Sequence, residues 1–65
     1  MIFERIQELV KEKNTTIAEL ERQAGLSNGS ISKWKTVMPN LASLIAVAEA
    51  LGVSVMRLIG EKEQT

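Results

Sequence analysis

Residues 16–35 run Thr16-Ile-Ala-Glu-Leu-Glu-Arg-Gln-Ala-Gly25-Leu-Ser-Asn-Gly-Ser30-Ile-Ser-Lys-Trp-Lys35. Two short helices bent around one glycine are written into this order. Thr16 with Glu19 three positions later matches a capping box, in which the hydroxyl accepts a first-turn amide and the carboxylate reaches back to the cap. Ile17, Leu20 and Ala24 then fall on one helical face. Gly25 follows where a helix ends in a left-handed residue, a conformation that costs a residue without Cβ nothing. Leu26 packs under the turn, and Ser27 is a good N-cap for a second helix. In that helix Ile31 and Trp34 lie three apart and point inward, which leaves Asn28, Gly29, Ser32 and Lys33 on the outward side.

Such a layout is the sequence shape of a helix-turn-helix, whose second helix is offered to the major groove of DNA. Any small helical hairpin is built the same way, so the bend alone leaves both readings open. The Asn28-Gly29 pair also suits a tight β-hairpin turn. Neither flank alternates apolar and polar residues as strands would, so that reading fails.

Working outward, 65 residues make one small domain, which buries a modest fraction of its surface and needs an efficient core. Aliphatic residues dominate, and the only large aromatics are Phe3 and Trp34. There is no cysteine, so neither a disulfide framework nor a thiolate metal site is available. There is no histidine, which removes the usual general base and the commonest metal ligand. With no acid pair in an evident pocket either, little is left for catalysis; an enzyme is discounted, and no cofactor, metal or small-molecule ligand is expected. The apolar segment 41–51 is about half the length of a membrane span. No basic region followed by an apolar block opens the chain, so no secretory signal is expected. A cytoplasmic bacterial or phage protein fits these features.

Zero net charge looks wrong for a DNA binder, but the charges are unevenly placed. Residues 1–21 carry Glu4, Glu8, Glu12, Glu19 and Glu21 against Arg5, Lys11 and Lys13, a net −2. Residues 22–48 carry Arg22, Lys33 and Lys35 and no acid, a net +3. Residues 49–65 carry Glu49, Glu61 and Glu63 against Arg57 and Lys62, a net −1. The stretch free of acid is the one holding the second helix, where the field weakly favours phosphate.

Ile2, Phe3, Ile6, Leu9 and Val10 recur at helical spacing in an opening helix that ends near Lys13, with Glu4, Glu8 and Glu12 on its solvated side. Lys13-Asn14-Thr15 closes it. Thr36 to Pro39 is a loop, since Pro39 biases Met38 away from helix. Asn40 can cap a further helix from Leu41 to Leu51 that is apolar on most of its circumference, the mark of a helix buried on several sides, or of a central helix that also extends into an interface. Gly52 ends it. Ser54 caps a last short helix through Ile59, Gly60 terminates that one, and residues 61–65 form a polar tail or the start of a linker. All the periodicity is helical: five short helices, no sheet, and one domain over 1–60.

Taken in order, the opening helix, TIAELERQAGLSNGSISKWK, the proline followed by an apolar helix, and ALGVSVMRLIG resemble the phage repressor/Cro-like helix-turn-helix family over roughly residues 2–60. The resemblance implies an all-α, compact five-helix bundle of the lambda-repressor-like DNA-binding type, with helices 2 and 3 forming the helix-turn-helix. It places the recognition helix at Asn28–Lys35. Base contacts are implied at Ser27, Asn28, Gly29, Ser32 and Lys33, and phosphate contacts at Thr16, Ile17, Ser30, Lys35 and Thr36. Three positions depart from the family pattern. Ile17 stands where Gln often braces a phosphate, so only its amide is on offer. Glu21 stands where a small Ala usually presses against the second helix, so it must lean out or find a partner such as Arg22 or Lys33. Met56 stands where an acidic or polar residue is common.

The chemistry of the outward residues suits a groove. Asn28 can grip an adenine edge in bidentate fashion, and Lys33 can reach guanine or a phosphate. Gly29 permits close backbone approach, while Ser30 and Ser32 can bond backbone, base or simply water. Trp34 reads as core rather than as a stacking platform. One copy has few long polar side chains, so discrimination is expected from DNA shape and from a second copy on a palindromic operator. A homodimer through Val55, Met56 and Ile59 is expected, with Val53 and Leu58 in the core. The function expected is a transcriptional regulator of repressor type; the alternative is a protein-interaction module on the same fold, antitoxin-like or regulator-binding.

Overall fold

In the computed structural model, which describes residues 2–59, the chain forms four α-helices and one 3-10 helix. They are α1 (Ile2–Glu12), α2 (Ile17–Ala24), the 3-10 helix (Ile31–Lys35), α3 (Leu41–Leu51) and α4 (Val55–Leu58). No strand occurs among the described residues. The expected bundle of five helices is thus realised as four α-helices plus a tighter, shorter segment, which begins at Ile31 rather than Asn28. Gly60 and the tail 61–65 lie outside the described residues.

Local chemistry explains most of the boundaries. The Thr16 hydroxyl accepts from the Glu19 amide (3.1 Å), the Asn40 side chain from Ser43 (2.8 Å) and the Ser54 hydroxyl from Arg57 (3.1 Å), so three helices start at the expected caps. The C-termini of α1, α2 and α3 share one device. At Gly25, φ is +75°, the Gly25 amide donates to the Arg22 carbonyl (3.2 Å), and the Leu26 amide donates to Glu21 (2.8 Å). That is the pair of bonds of a Schellman ending. α3 ends in the same way at Gly52, with the Val53 amide bonded to Ala48 at 3.0 Å. α1 does so without a glycine: Asn14 takes φ +62°, and the Thr15 amide reaches the Val10 carbonyl at 2.9 Å. Asparagine is one of the few residues that tolerates this region.

The core is drawn from every element. Ile6 and Leu9 of α1, Leu20 of α2, Ile31 of the 3-10 helix, Val47 of α3 and Leu58 of α4 are fully buried. α2 packs mainly on α3, α1 lies along the 3-10 helix, and α4 closes against α3 and α1. Exposed polar groups finish the α1–α4 seam. Arg57 pairs with Glu12 at 3.2 Å, and Arg5 Nε donates to the Arg57 carbonyl at 3.1 Å. Pairs this wet contribute about 0–1 kcal/mol.

α3 departs from expectation. Only Leu44, Val47, Ala48 and Leu51 are buried, while Leu41 and Ile45 are 65% and 41% exposed. Its apolar circumference exceeds what its main neighbours, α2 and α4, cover. No helix among the described residues is long and apolar enough to cross a membrane.

Two substitutions test this architecture. A Cβ added at Gly25 meets nothing within 4 Å, so the penalty of Gly25→Ala is conformational. It should lower stability by about 1–2 kcal/mol, read as a lower urea midpoint at unchanged slope. Leu58→Ala should cost about 2–5 kcal/mol in the same measurement, because it empties a fully buried site.

Candidate nucleic-acid interface

α2 hands the chain to the 3-10 helix through six residues, 25–30, that are tied internally. Leu26 packs against the core beneath the turn. The Ser30 amide donates to the Ser27 carbonyl at 3.1 Å, and the two serine hydroxyls lie 3.4 Å apart. Gly29 takes φ +91°, a conformation open to glycine and strained for other residues. Ser30 returns to the right-handed region at φ −59°, ψ −45°. From there the backbone winds with three-residue bonds, Lys33 to Ser30 (3.2 Å) and Thr36 to Lys33 (3.2 Å).

Ser27 is therefore not the side-chain cap expected of it, and Ser30, which precedes the 3-10 helix, makes no such cap either. Glu21 supplies that function from α2. It is 3% exposed, and its two carboxylate oxygens accept from the Gly29 amide (3.0 Å) and the Ile31 amide (2.9 Å). The expectation that Glu21 leans out or pairs with Arg22 or Lys33 is overturned. Backbone donors fully answer the buried carboxylate, and no buried side-chain polar atom among the described residues lacks a partner. Bonds from amides to a charged acceptor contribute about 1.5–3 kcal/mol each. The reciprocal half of the Thr16 capping box is also absent, because Glu19 is engaged by Arg22 and by Gln23 (3.3 Å).

Of the outward residues, Ser27, Asn28, Ser32 and Lys33 are exposed, and Gly29 and Ser30 are half-buried. Thr16 and Asn28 line one open groove with Ala18, Glu19, Arg22 and Leu26, so the start of α2 and the start of the turn share a surface. Ile17 is half-buried against the core, and Thr36 is exposed. The Lys35 ammonium sits 5.0 Å from the centroid of the Phe3 ring, a cation–π contact that holds it beside α1. Trp34 packs half-buried against the core. Of the residues assigned to a dimer contact, Val55 packs half-buried against the core, whereas Met56 and Ile59 are 58% and 37% exposed.

Two features escape the sequence reading. Glu21 is one; its signal was a charge on the inward line Ile17, Leu20, Glu21, Ala24, facing a turn that carries a glycine. The other is a run of exposed apolar residues after the 3-10 helix: Val37, Met38, Leu41 and Ile45.

Four helices around a small aliphatic core, with a tight turn delivering an exposed polar rim, define a helix-turn-helix domain. The family model described as helix-turn-helix matches residues 6–58, and the chain belongs to this Cro/repressor-type helix-turn-helix family, a class of DNA-binding transcriptional regulators. The chain is also similar to the HTH-type transcriptional regulator SinR of Bacillus licheniformis, 35% identical over 68 aligned positions. That alignment takes in 100% of this chain and 61% of the relative, so the chain spans about three-fifths of that protein's length. No solved structure matches significantly.

Ile31 is the apolar anchor of the interface. Ile31→Ala should destabilise the domain by about 2–5 kcal/mol in urea denaturation. The exposed Ser32→Ala should stay within about 0.5 kcal/mol of the parent.

Proposed function

We propose that this chain binds double-stranded DNA sequence-specifically as a repressor of transcription, acting as a homodimer on a palindromic operator. The observation that carries this reading is the exposed rim of Asn28, Ser32 and Lys33 on a segment pinned by Ile31 and Glu21, in a chain of the helix-turn-helix family. The similarity to a protein named as a transcriptional regulator supports the regulatory role.

In this reading Ser27, Asn28, Gly29, Ser32 and Lys33 meet base edges. Thr16, the Ile17 amide, Ser30, Lys35 and Thr36 meet phosphates. Asn28 presents a donor and an acceptor to adenine, and Lys33 a cation to guanine or to the backbone. The Ile17 and Ala18 amides stand at the open end of α2, where the helix dipole favours a phosphate. A second copy docks through Met56 and Ile59 and sets two recognition segments about one helical turn apart. Occupying the operator then excludes other proteins from it. A protein-interaction role is the second reading, favoured by the exposed Val37, Met38, Leu41 and Ile45.

Selection from random duplexes, followed by sedimentation with the winning sequence, tests the proposal. Two copies per enriched palindrome are expected, and no enrichment favours the second reading. Lys33→Ala should weaken binding on all sequences and lower the salt slope by about one ion. Asn28→Ala should relax preference at one base pair by about 1–3 kcal/mol. Met56→Asp should remove the pairing, so that the two half-sites fill independently, one copy at a time. Parent-like binding by both contact variants would overturn the assignment of the rim.

A further inference from the structure

We propose that Glu21 is the positioning residue of the recognition segment: its carboxylate, carried by α2, holds the Gly29 and Ile31 amides and so fixes where Asn28, Ser32 and Lys33 stand. This rests on the DNA-binding reading and adds to it a residue that touches no DNA.

The geometry is that of a backbone anion nest. A left-handed residue (Gly29, φ +91°) followed by a right-handed one (Ser30, φ −59°) turns the amides of residues 29 and 31 toward one point. The Glu21 carboxylate occupies that point, one oxygen on each amide at 3.0 and 2.9 Å. The amide between them, that of Ser30, is taken by the Ser27 carbonyl at 3.1 Å. Three successive donors at the entrance of the segment are therefore already taken, two by the carboxylate and one within the turn. A nest of this kind would otherwise suit a phosphate. Filled by the chain's own carboxylate, it leaves side chains to meet the DNA.

Two bonds to one planar group fix an orientation as well as a distance. The carboxylate belongs to α2, whose first turn shares a groove with Asn28. The clasp therefore sets the rim relative to the same helix whose N-terminus is assigned to phosphate. Errors in that register harm base readout, which needs bidentate geometry, far more than they harm attraction to the backbone, which does not. Glu21 thus acts on discrimination and leaves non-specific affinity alone.

The test uses the full chain, with Glu21→Ala and the near-isosteric Glu21→Gln, which keeps a single acceptor oxygen. Amide hydrogen exchange at Gly29 and Ile31 should be slow in the parent, intermediate in Glu21→Gln and fastest in Glu21→Ala. Discrimination between the selected duplex and one changed at the Asn28 position should fall about tenfold in Glu21→Ala, with binding to unselected duplex within about twofold of the parent. Parent-like discrimination in Glu21→Ala overturns the proposal. So does an equal loss on selected and unselected duplexes, which marks a merely structural role. Unprotected Gly29 and Ile31 amides in the parent overturn this proposal alone, whereas a parent that selects no duplex overturns the DNA-binding reading and takes the proposal with it.

Discussion

A carboxylate removed from water must be met by donors, and in this domain that demand is met at one place only among the described residues. Glu21 is the sole buried charged side chain described, and it is satisfied by two backbone amides of the segment that follows the turn. A misplaced turn would strand a charge at a cost of several kcal/mol. The Glu21 carboxylate, in accepting these bonds, also caps the 3-10 helix, whose preceding serine makes no side-chain cap. The constraint is mutual: the turn exists in this form because of Glu21, and Glu21 can be buried because of the turn.

Apolar burial supplies the other half of the anchoring. Ile31 enters a core to which each helix gives a fully buried aliphatic chain. In a domain this small no element is stable alone, so the 3-10 segment depends for its order on α1, which packs along it. Lys35 adds a lateral contact to the Phe3 ring. A five-residue 3-10 helix is longer than such segments usually run, and its poor internal bonding makes these outside supports necessary.

What could be read in the sequence was the chemistry that acts within about four residues. Thr16, Asn40 and Ser54 cap, and Gly25 and Gly52 end helices, because each acts on its immediate neighbours. The burial of Ile31 and the exposure of Ser27, Asn28, Ser32 and Lys33 follow from spacing, which survives the change from α to 3-10 winding. The remainder depended on longer reach. The bonds of Glu21 span eight and ten positions, and nothing local distinguishes a buried carboxylate from one that leans out. Ser27 looked like a cap because the competing carboxylate was invisible. Leu41 and Ile45 looked buried because a helix apolar nearly all round does not say which side its neighbours cover.

On the proposed reading, the rim at 28–33 meets DNA while its inner side stays clasped to α2. Amide and side-chain resonance mapping during titration with a selected duplex tests it most directly. The largest shifts, with contacts to major-groove protons, are expected at Asn28, Ser32 and Lys33, while the Ile31 and Val47 signals move little. Shifts centred on the α1–α4 seam or on Met38, Leu41 and Ile45, with the rim unchanged, would contradict it.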